Sequence, residues 1–288
     1  MWLYVLLVLL LCVVLYSILI EPNRIRIRRH EVWINKDIPP LMILHLSDFH
    51  FYGHQNRRVK FLHELARTPV DLIFITGDLI DDDSGIELAL EGLRPLRARY
   101  GMYAVFGNHD YYHVTFKDLF RPTGSLHLPH KQSNQFELFK GKLEELGVQV
   151  LWNESRTIEV EGKTINIVGI DDPHVKRDDL DKAFSGVDPD LPCLVLVHSP
   201  ELVLDLAHTP ADFVWTGHTH GGQICLPGVG ALVTRTHAPR RFCYGINQIA
   251  DTQYYTSRGM GVGKLTHIRF CCPPEVVYFH LNSIDRKT

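Results

Sequence analysis

Apolar runs in this chain repeatedly end on a tight cluster of Asp, His, Asn and Gly, and that repetition limits the folds open to it. Leu41 to Leu46 runs into Ser47-Asp48-Phe49-His50, and Leu72 to Thr76 into Gly77-Asp78. Tyr100 to Phe106 runs into Gly107-Asn108-His109-Asp110, Leu194 to Val197 into His198, and Phe213 to Thr216 into Gly217-His218-Thr219-His220. Apolar runs this short read as buried strands. Polar residues just past the carboxyl ends of such strands are where α/β folds build their sites. Helical patterns fall over Arg57 to Ala66, Gly85 to Arg97 (Ile86, Leu90 and Leu93 on one face) and Asn134 to Leu146. Thr157 to Val160 and Thr164 to Ile170 form a hairpin around Glu161-Gly162-Lys163, and the tail from Ala231 to Leu281 is strand-rich. Strands alternating with helices, then hairpins, predict an α/β fold: a four-layer αββα sandwich of two mixed sheets flanked by helices.

The chemistry of the clusters is restricted. Asp48, Asp78, Asn108, His50, His198, His218 and His220 offer oxygen and imidazole donors that suit a pair of divalent transition metals. Mn, Fe, Zn or Ni fit this set better than Ca, and the lack of Cys at these positions argues against a structural zinc site. Asp48 with His50, and His218 with His220, are spaced i, i+2, so in extended chain their side chains share a face. Gly77, Gly107, Gly217, Gly221 and Gly222 let the backbone turn sharply beside them. A lone His more often serves the core or the surface, and most of the 17 histidines need no special role. The ordered set of clusters outweighs that reading here.

From Asp48 to His220 the blocks resemble those of the calcineurin-like metallophosphoesterases. The string Gly217-His218-Thr219-His220-Gly221-Gly222-Gln223 with His198-Ser199-Pro200-Glu201 resembles a membrane-associated bacterial branch, as does Ser257-Arg258-Gly259 to Phe270 with Pro274-Glu275-Val276. That branch includes phosphodiesterases and a UDP-2,3-diacylglucosamine pyrophosphatase of lipid A synthesis. The resemblance implies two divalent ions, Mn2+ ahead of Fe, Zn or Ni. It implies that Asp48, His50 and His220 hold one ion, that Asn108, His198 and His218 hold the other, and that Asp78 bridges them. His109 is then no ligand: it faces the phosphate and protonates the leaving oxygen. Asp110 orients His109 or caps a turn. The implied substrate is a membrane-borne phosphoester or pyrophosphate, UDP-2,3-diacylglucosamine first. The alternative is a general phosphodiesterase of phospholipids or nucleotides. A non-catalytic metal-binding scaffold would be expected to have lost ligands, and none is missing.

Residues 1–20 carry no charge. At about 1.5 Å per residue they reach about 30 Å, the thickness of a bilayer core. A cleaved signal peptide would want a basic start, a shorter apolar run and a small-residue cleavage site. No Lys or Arg precedes this run, and Tyr16-Ser17-Ile18-Leu19 is a poor site. Arg24, Arg26, Arg28 and Arg29 follow, and the positive-inside rule places the rest in the cytoplasm. The expected organisation is a single-pass anchor at 1–20 in the inner membrane and a juxtamembrane strand and linker at 21–40. Within the latter, Arg24 to Asn35 forms an edge strand near the headgroups. A catalytic domain at 41–288 faces the cytoplasm. A net charge of −3, without an aromatic-interleaved basic stretch, argues against nucleic acid. The expected partners are the membrane and a lipid substrate within it. Six cysteines without CxxC spacing read as free thiols in a reducing compartment.

Further residues are weaker candidates. His54 and His113 lie near the clusters, and Arg240 and Arg241 could grip a diphosphate, so all four are candidate substrate contacts. Asp81-Asp82-Asp83 reads as the cap of the following helix. His45 reads as core, and Asp171-Asp172-Pro173-His174 as a site-adjacent turn or a loop cap. The poorly patterned insertion at 112–135 directly follows a site loop. With Tyr111, Tyr112, Phe116, Leu119, Phe120, Leu126 and Leu128 among Pro122, Gly124 and Pro129, it reads as a lid over acyl chains; an ordinary packed loop is the other reading.

Overall fold

A computed structural model describes residues 1–113, 131–133 and 135–284. In chain order its strands are β1 (Arg26–Ile34), β2 (Leu41–Leu46), β3 (Leu72–Thr76), β4 (Met102–Val105), β5 (Tyr112–His113), β6 (Lys131–Gln132), β7 (Val148–Val150) and β8 (Glu154–Val160). They continue with β9 (Lys163–Ile170), β10 (Cys193–Val197), β11 (Phe213–Thr216), β12 (Cys225–Leu226), β13 (Gly230–Ala231), β14 (Gly245–Ile249), β15 (Thr252–Thr256) and β16 (Glu275–Ser283). The helices are α1 (Trp2–Leu15), α2 (Asn56–Leu65), α3 (Ile86–Leu93), α4 (Asn108–Tyr111), α5 (Phe136–Glu145), α6 (Leu180–Ala183) and α7 (Val203–Leu206).

Strands with no polar face must be covered on both sides, which is the usual situation of parallel strands. One sheet runs β1-β16-β2-β3-β4-β7 and the other β14-β15-β11-β10-β9-β8. β2, β3, β4 and β7 are parallel, as are β15, β11, β10 and β9. The sheets face each other through Ile43, Phe74, Val105, Leu196, Trp215 and Phe279. α2, α3 and α5 cover the outer face of the first sheet through Leu62, Leu90 and Phe139; α6 and α7 cover the second through Ala183, Val203 and Leu206. Each such buried side chain contributes about 1.5–3 kcal/mol. This is the expected αββα sandwich of two mixed sheets.

Several details differ from the expectation. α3 ends at Leu93 and not at Arg97, because Pro95 has no N–H to donate back along a helix. The strand expected over Arg24 to Asn35 is an edge strand as read, but it belongs to the first sheet, paired with β16 from Arg26↔Glu275 to Ile34↔Ser283. The folded domain therefore starts before residue 41. Within the expected lid, Tyr111 is core, its ring against Phe106 and Phe136 and its hydroxyl donating to Asp171. Phe116, Leu119, Phe120, Leu126 and Leu128, with Pro122, Gly124 and Pro129, lie outside the described residues.

The N-terminal run forms a helix from Trp2 to Asn23, long and apolar enough to cross a membrane. Its outer part is exposed. Its inner end is tied to the domain: Ser17 O accepts from Arg269 N at 2.9 Å, and the buried Glu21 carboxylate accepts from Cys271 N and Cys272 N. All six cysteines are free thiols.

Candidate metal centre

β2, β3, β4, β10 and β11 deliver the polar clusters to one rim of the sandwich. The backbone leaves strand conformation at once: Asp48, His50, Asp78, His218 and His220 all have positive φ, between 47° and 66°. Such backbone costs roughly 1–3 kcal/mol per residue, and Asp and His are among the types found there most often. The i, i+2 pairs thus converge from left-handed loops and not from extended chain. Gly107 and Gly217 also have a different reason from the expected sharp turn. A Cβ on Gly217 would lie 2.3 Å from Asp48 Oδ2, and one on Gly107 2.3 Å from Asp78 Oδ1.

Among the described residues the donors cluster in four overlapping groups: Asp48 with His50 and His220, Asp78 with His198 and His218, His50 with Asp81 and His109, and His174 with Glu201 and His218. The first two hold the expected Asp and His ligands. Nε2 of His50 is 2.9 Å from Nε2 of His220, which lies 3.5 Å from Asp48 Oδ1. His218 Nδ1 is 3.1 Å from Asn108 Oδ1 and 3.3 Å from His198 Nε2. Asp78 Oδ2 stands between the groups, 3.5 Å from His50 Nε2 and 3.4 Å from His198 Nε2.

Hydrogen bonds behind the rings decide which nitrogen is free. His198 Nδ1 donates to Thr76 O at 2.7 Å, His218 Nε2 to Arg235 O at 3.1 Å, and His50 Nδ1 to Asp81 Oδ1 at 3.1 Å. In each ring the other nitrogen then turns its lone pair inward, as metal-ligating His requires. His220 is backed differently. Nη2 of the fully buried Arg269 lies 3.1 Å from its Nδ1, but both Nη2 protons go to Arg258 O and Gly261 O, at 2.7 and 2.6 Å. The guanidinium therefore acts on this ring by charge. Burial, His50 and Arg269 hold His220 well below the ordinary His range, so it stays neutral.

The rim calls for positive charge. Burial opposes protonation of His198, yet Asp78, Asp172 and Asp48 push it well above the ordinary value. A proton there answers the same carboxylates that a dication would. Donor types, free lone pairs and charge together fit two divalent ions.

His109 is in neither of those two groups but clusters with His50 and Asp81. Its backbone N donates to Asp78 Oδ1 at 2.9 Å, and its ring Nδ1 lies 2.8 Å from Asp81 Oδ1. Burial works against its charge, but Asp78 and Asp81 outweigh it and raise the ring to about 9. Asp81 is the residue that local reading misassigned. Only Asp82 caps the turn, accepting from Ser84 N, while Asp81 serves His50 and His109. Asp110 does not reach the His109 ring; it accepts from the amides of Asp78, Leu79, Ile80 and Gly107, locking two site loops together. Arg269 was not foreseen at all.

The weaker candidates separate. His113 is buried, its Nε2 3.1 Å from Asp83 Oδ1. His54, Arg240 and Arg241 are exposed; Arg240 donates to Ala231 O, and Arg241 stacks on Phe242. His45 is core, bonded to Thr76 Oγ1 at 2.8 Å. Asp172 caps its turn through His174 N, and the His174 ring lies 4.4 Å from that of His218, so the turn is both a cap and a neighbour of the site.

A fold that stores strained backbone and buried carboxylates at one rim should be stabilised by what fills it. Saturating Mn2+ is expected to raise the melting temperature relative to chelator-treated protein. Binding at 100-fold over Kd is worth about 2.7 kcal/mol. An unchanged melting temperature would speak against a metal centre.

A sequence profile described as calcineurin-like phosphoesterase matches residues 41–222. The chain is similar to the uncharacterized metallophosphoesterase YkoQ of Bacillus subtilis, 34% identical over 245 residues that cover 84% of this chain and 83% of that protein. It is also similar to the phosphodiesterase YaeI of Escherichia coli, 29% identical over 270 residues, 91% of this chain and 90% of the other. A third relative is the UDP-2,3-diacylglucosamine pyrophosphatase LpxG of Chlamydia trachomatis, 28% identical over 304 residues, 89% of each chain.

Proposed function

This chain belongs to the calcineurin-like phosphoesterase family and is a metallophosphoesterase, and from that premise we propose that it hydrolyses a phosphoester or pyrophosphate bond of a membrane lipid, with UDP-2,3-diacylglucosamine as the substrate. The observation that carries this reading is the joint between the apolar helix and the site. Ser17 and Glu21 at the helix end bond to the segment 269–272, and Arg269 of that segment backs His220. A soluble substrate would not need its enzyme's centre held at a membrane. Arg24, Arg26, Arg28 and Arg29 favour the cytoplasmic side of the inner membrane for the catalytic domain.

Asp48, His50 and His220 hold one ion, Asn108, His198 and His218 the second, and Asp78 both. When bound, the ions, Mn2+ ahead of Fe, Zn or Ni, supply Lewis-acid activation of the phosphoryl group and of water. His109 holds a proton for the leaving oxygen. Asp81 sits at its Nδ1 and so turns Nε2 outward. Asp110 keeps the Asp78 and Asn108 loops in register. A second reading, a general phosphodiesterase, is favoured by the similarity to YaeI.

Steady-state rates on UDP-2,3-diacylglucosamine, phosphatidylglycerol and a chromogenic soluble diester separate these readings. The expected result is a kcat/KM for the diacyl nucleotide at least about 100-fold above the soluble diester, a difference of about 2.7 kcal/mol. Cleavage of phosphatidylglycerol with no turnover of the diacyl nucleotide would leave the general phosphodiesterase standing.

A further inference from the structure

The loop that carries His218 and His220 continues directly into the β12–β13 hairpin, whose large apolar side chains are exposed. Leu226, Val229, Leu232 and Val233 are 40%, 60%, 49% and 52% exposed. Scattered exposed apolar residues are ordinary, but Leu226, Val229, Leu232 and Val233 fall within eight residues in and just after one hairpin, whose ladder is Cys225↔Ala231 and Leu226↔Gly230.

The position of the ladder supplies the missing partner. Cys225 N donates to Phe270 O, and Phe270 N to Gln223 O. The neighbouring Arg269 N donates to Ser17 O, and Cys271 and Cys272 donate to Glu21. The hairpin base is thus one hydrogen-bonded chain away from the end of the apolar helix. At about 4.8 Å per chain spacing, that is within roughly 10 Å. Exposed Arg235, Arg240 and Arg241 flank it on the C-terminal side. Apolar residues edged by arginines are the make-up of segments that lie in a membrane interface.

We infer that the β12–β13 hairpin is a second membrane-inserting element, which seats the metal rim against the same bilayer surface as the end of the N-terminal helix. It is joined stiffly to that rim. A Cβ on Gly222 would lie 2.4 Å from the Cβ of Ala231, and Arg235 O accepts from His218. Insertion of Leu226 and Val229 therefore fixes the height of His218 and His220 over the lipid. The inference rests on the membrane reading of the helix proposed above.

Tryptophan placement in the full-length protein, reconstituted in vesicles of phosphatidylethanolamine and phosphatidylglycerol with or without brominated acyl chains, tests it. Val8→Trp reports on the helix, Val229→Trp on the hairpin, and Leu138→Trp on an exposed apolar position of α5. Brominated lipid should remove most of the emission added by Val8→Trp and by Val229→Trp, and leave that added by Leu138→Trp. Quenching of Val8→Trp without quenching of Val229→Trp overturns the hairpin inference and leaves the anchor standing. No quenching of Val8→Trp removes the anchor and the hairpin together. In parallel, Leu226→Ser with Val229→Ser should raise KM several-fold for vesicle-borne diester while kcat on a soluble diester stays unchanged; equal losses on both would mean that the hairpin only supports the fold.

Discussion

Asp78→Asn is expected to abolish metal binding and turnover together. Asp78 Oδ2 lies between His50 and His198, and Oδ1 accepts from His109 N, so one carboxylate serves both groups. The amide matches its shape but removes the negative charge and puts N–H donors where an ion needs a lone pair. Replacing a residue that only orients a ligand costs roughly 10–100-fold. A shared ligand should cost more, with turnover down by at least about 1,000-fold and elemental analysis of the dialysed protein falling from two ions per chain toward none. Full metal content with near-normal turnover would remove the bridging assignment.

His109→Asn should separate the two properties. The ring lies beside the ligand His50 but is outside the two groups assigned to the ions, so the ions should stay while turnover drops roughly 100-fold or more, the usual range for a general acid. Asp81→Asn should fall between, because Asp81 touches His109 and also the ligand His50. It should weaken metal binding and slow turnover, and the double variant with His109→Asn should be less than additive in turnover. Metal loss in His109→Asn as severe as in Asp78→Asn would mean that this ring supports the centre and not the proton transfer.

These residues also mark how far a sequence can be read. The strands and the inner sheet faces were legible because burial on both sides writes itself as uninterrupted apolar runs, and the polar clusters stood out as interruptions at their ends. Asp81 was misread because the signal of a cap is local, whereas its partner His50 lies 31 positions away. Nothing near Arg269 distinguishes it from a surface arginine; its role depends on a contact across 49 positions. β1 was legible as an edge strand, but not which sheet it joins, because its partner β16 is at the far end of the chain. The left-handed backbone of Asp48, His50, Asp78, His218 and His220 falls on residues other than glycine, so the flanking glycines marked turns there but not which residues would take that conformation. Asp110 had two readings, and the amides it accepts from favour the one that holds a turn.

The joint at Ser17 and Glu21 has a kinetic meaning. A domain on a flexible linker sweeps a volume that grows with linker length. Here the helix continues as a π-helical turn at Tyr16–Ile20 and a 3-10 turn at Glu21–Asn23, and the chain enters the first sheet at Arg26, so there is no slack to sweep with. On the lipid-substrate reading, such an enzyme samples a plane. Its substrate arrives by sideways diffusion at fixed height, and the quantity that sets its speed is the number of lipid molecules per unit of membrane area. Diluting the substrate with inert lipid should then slow it, whereas diluting the vesicles in buffer should not.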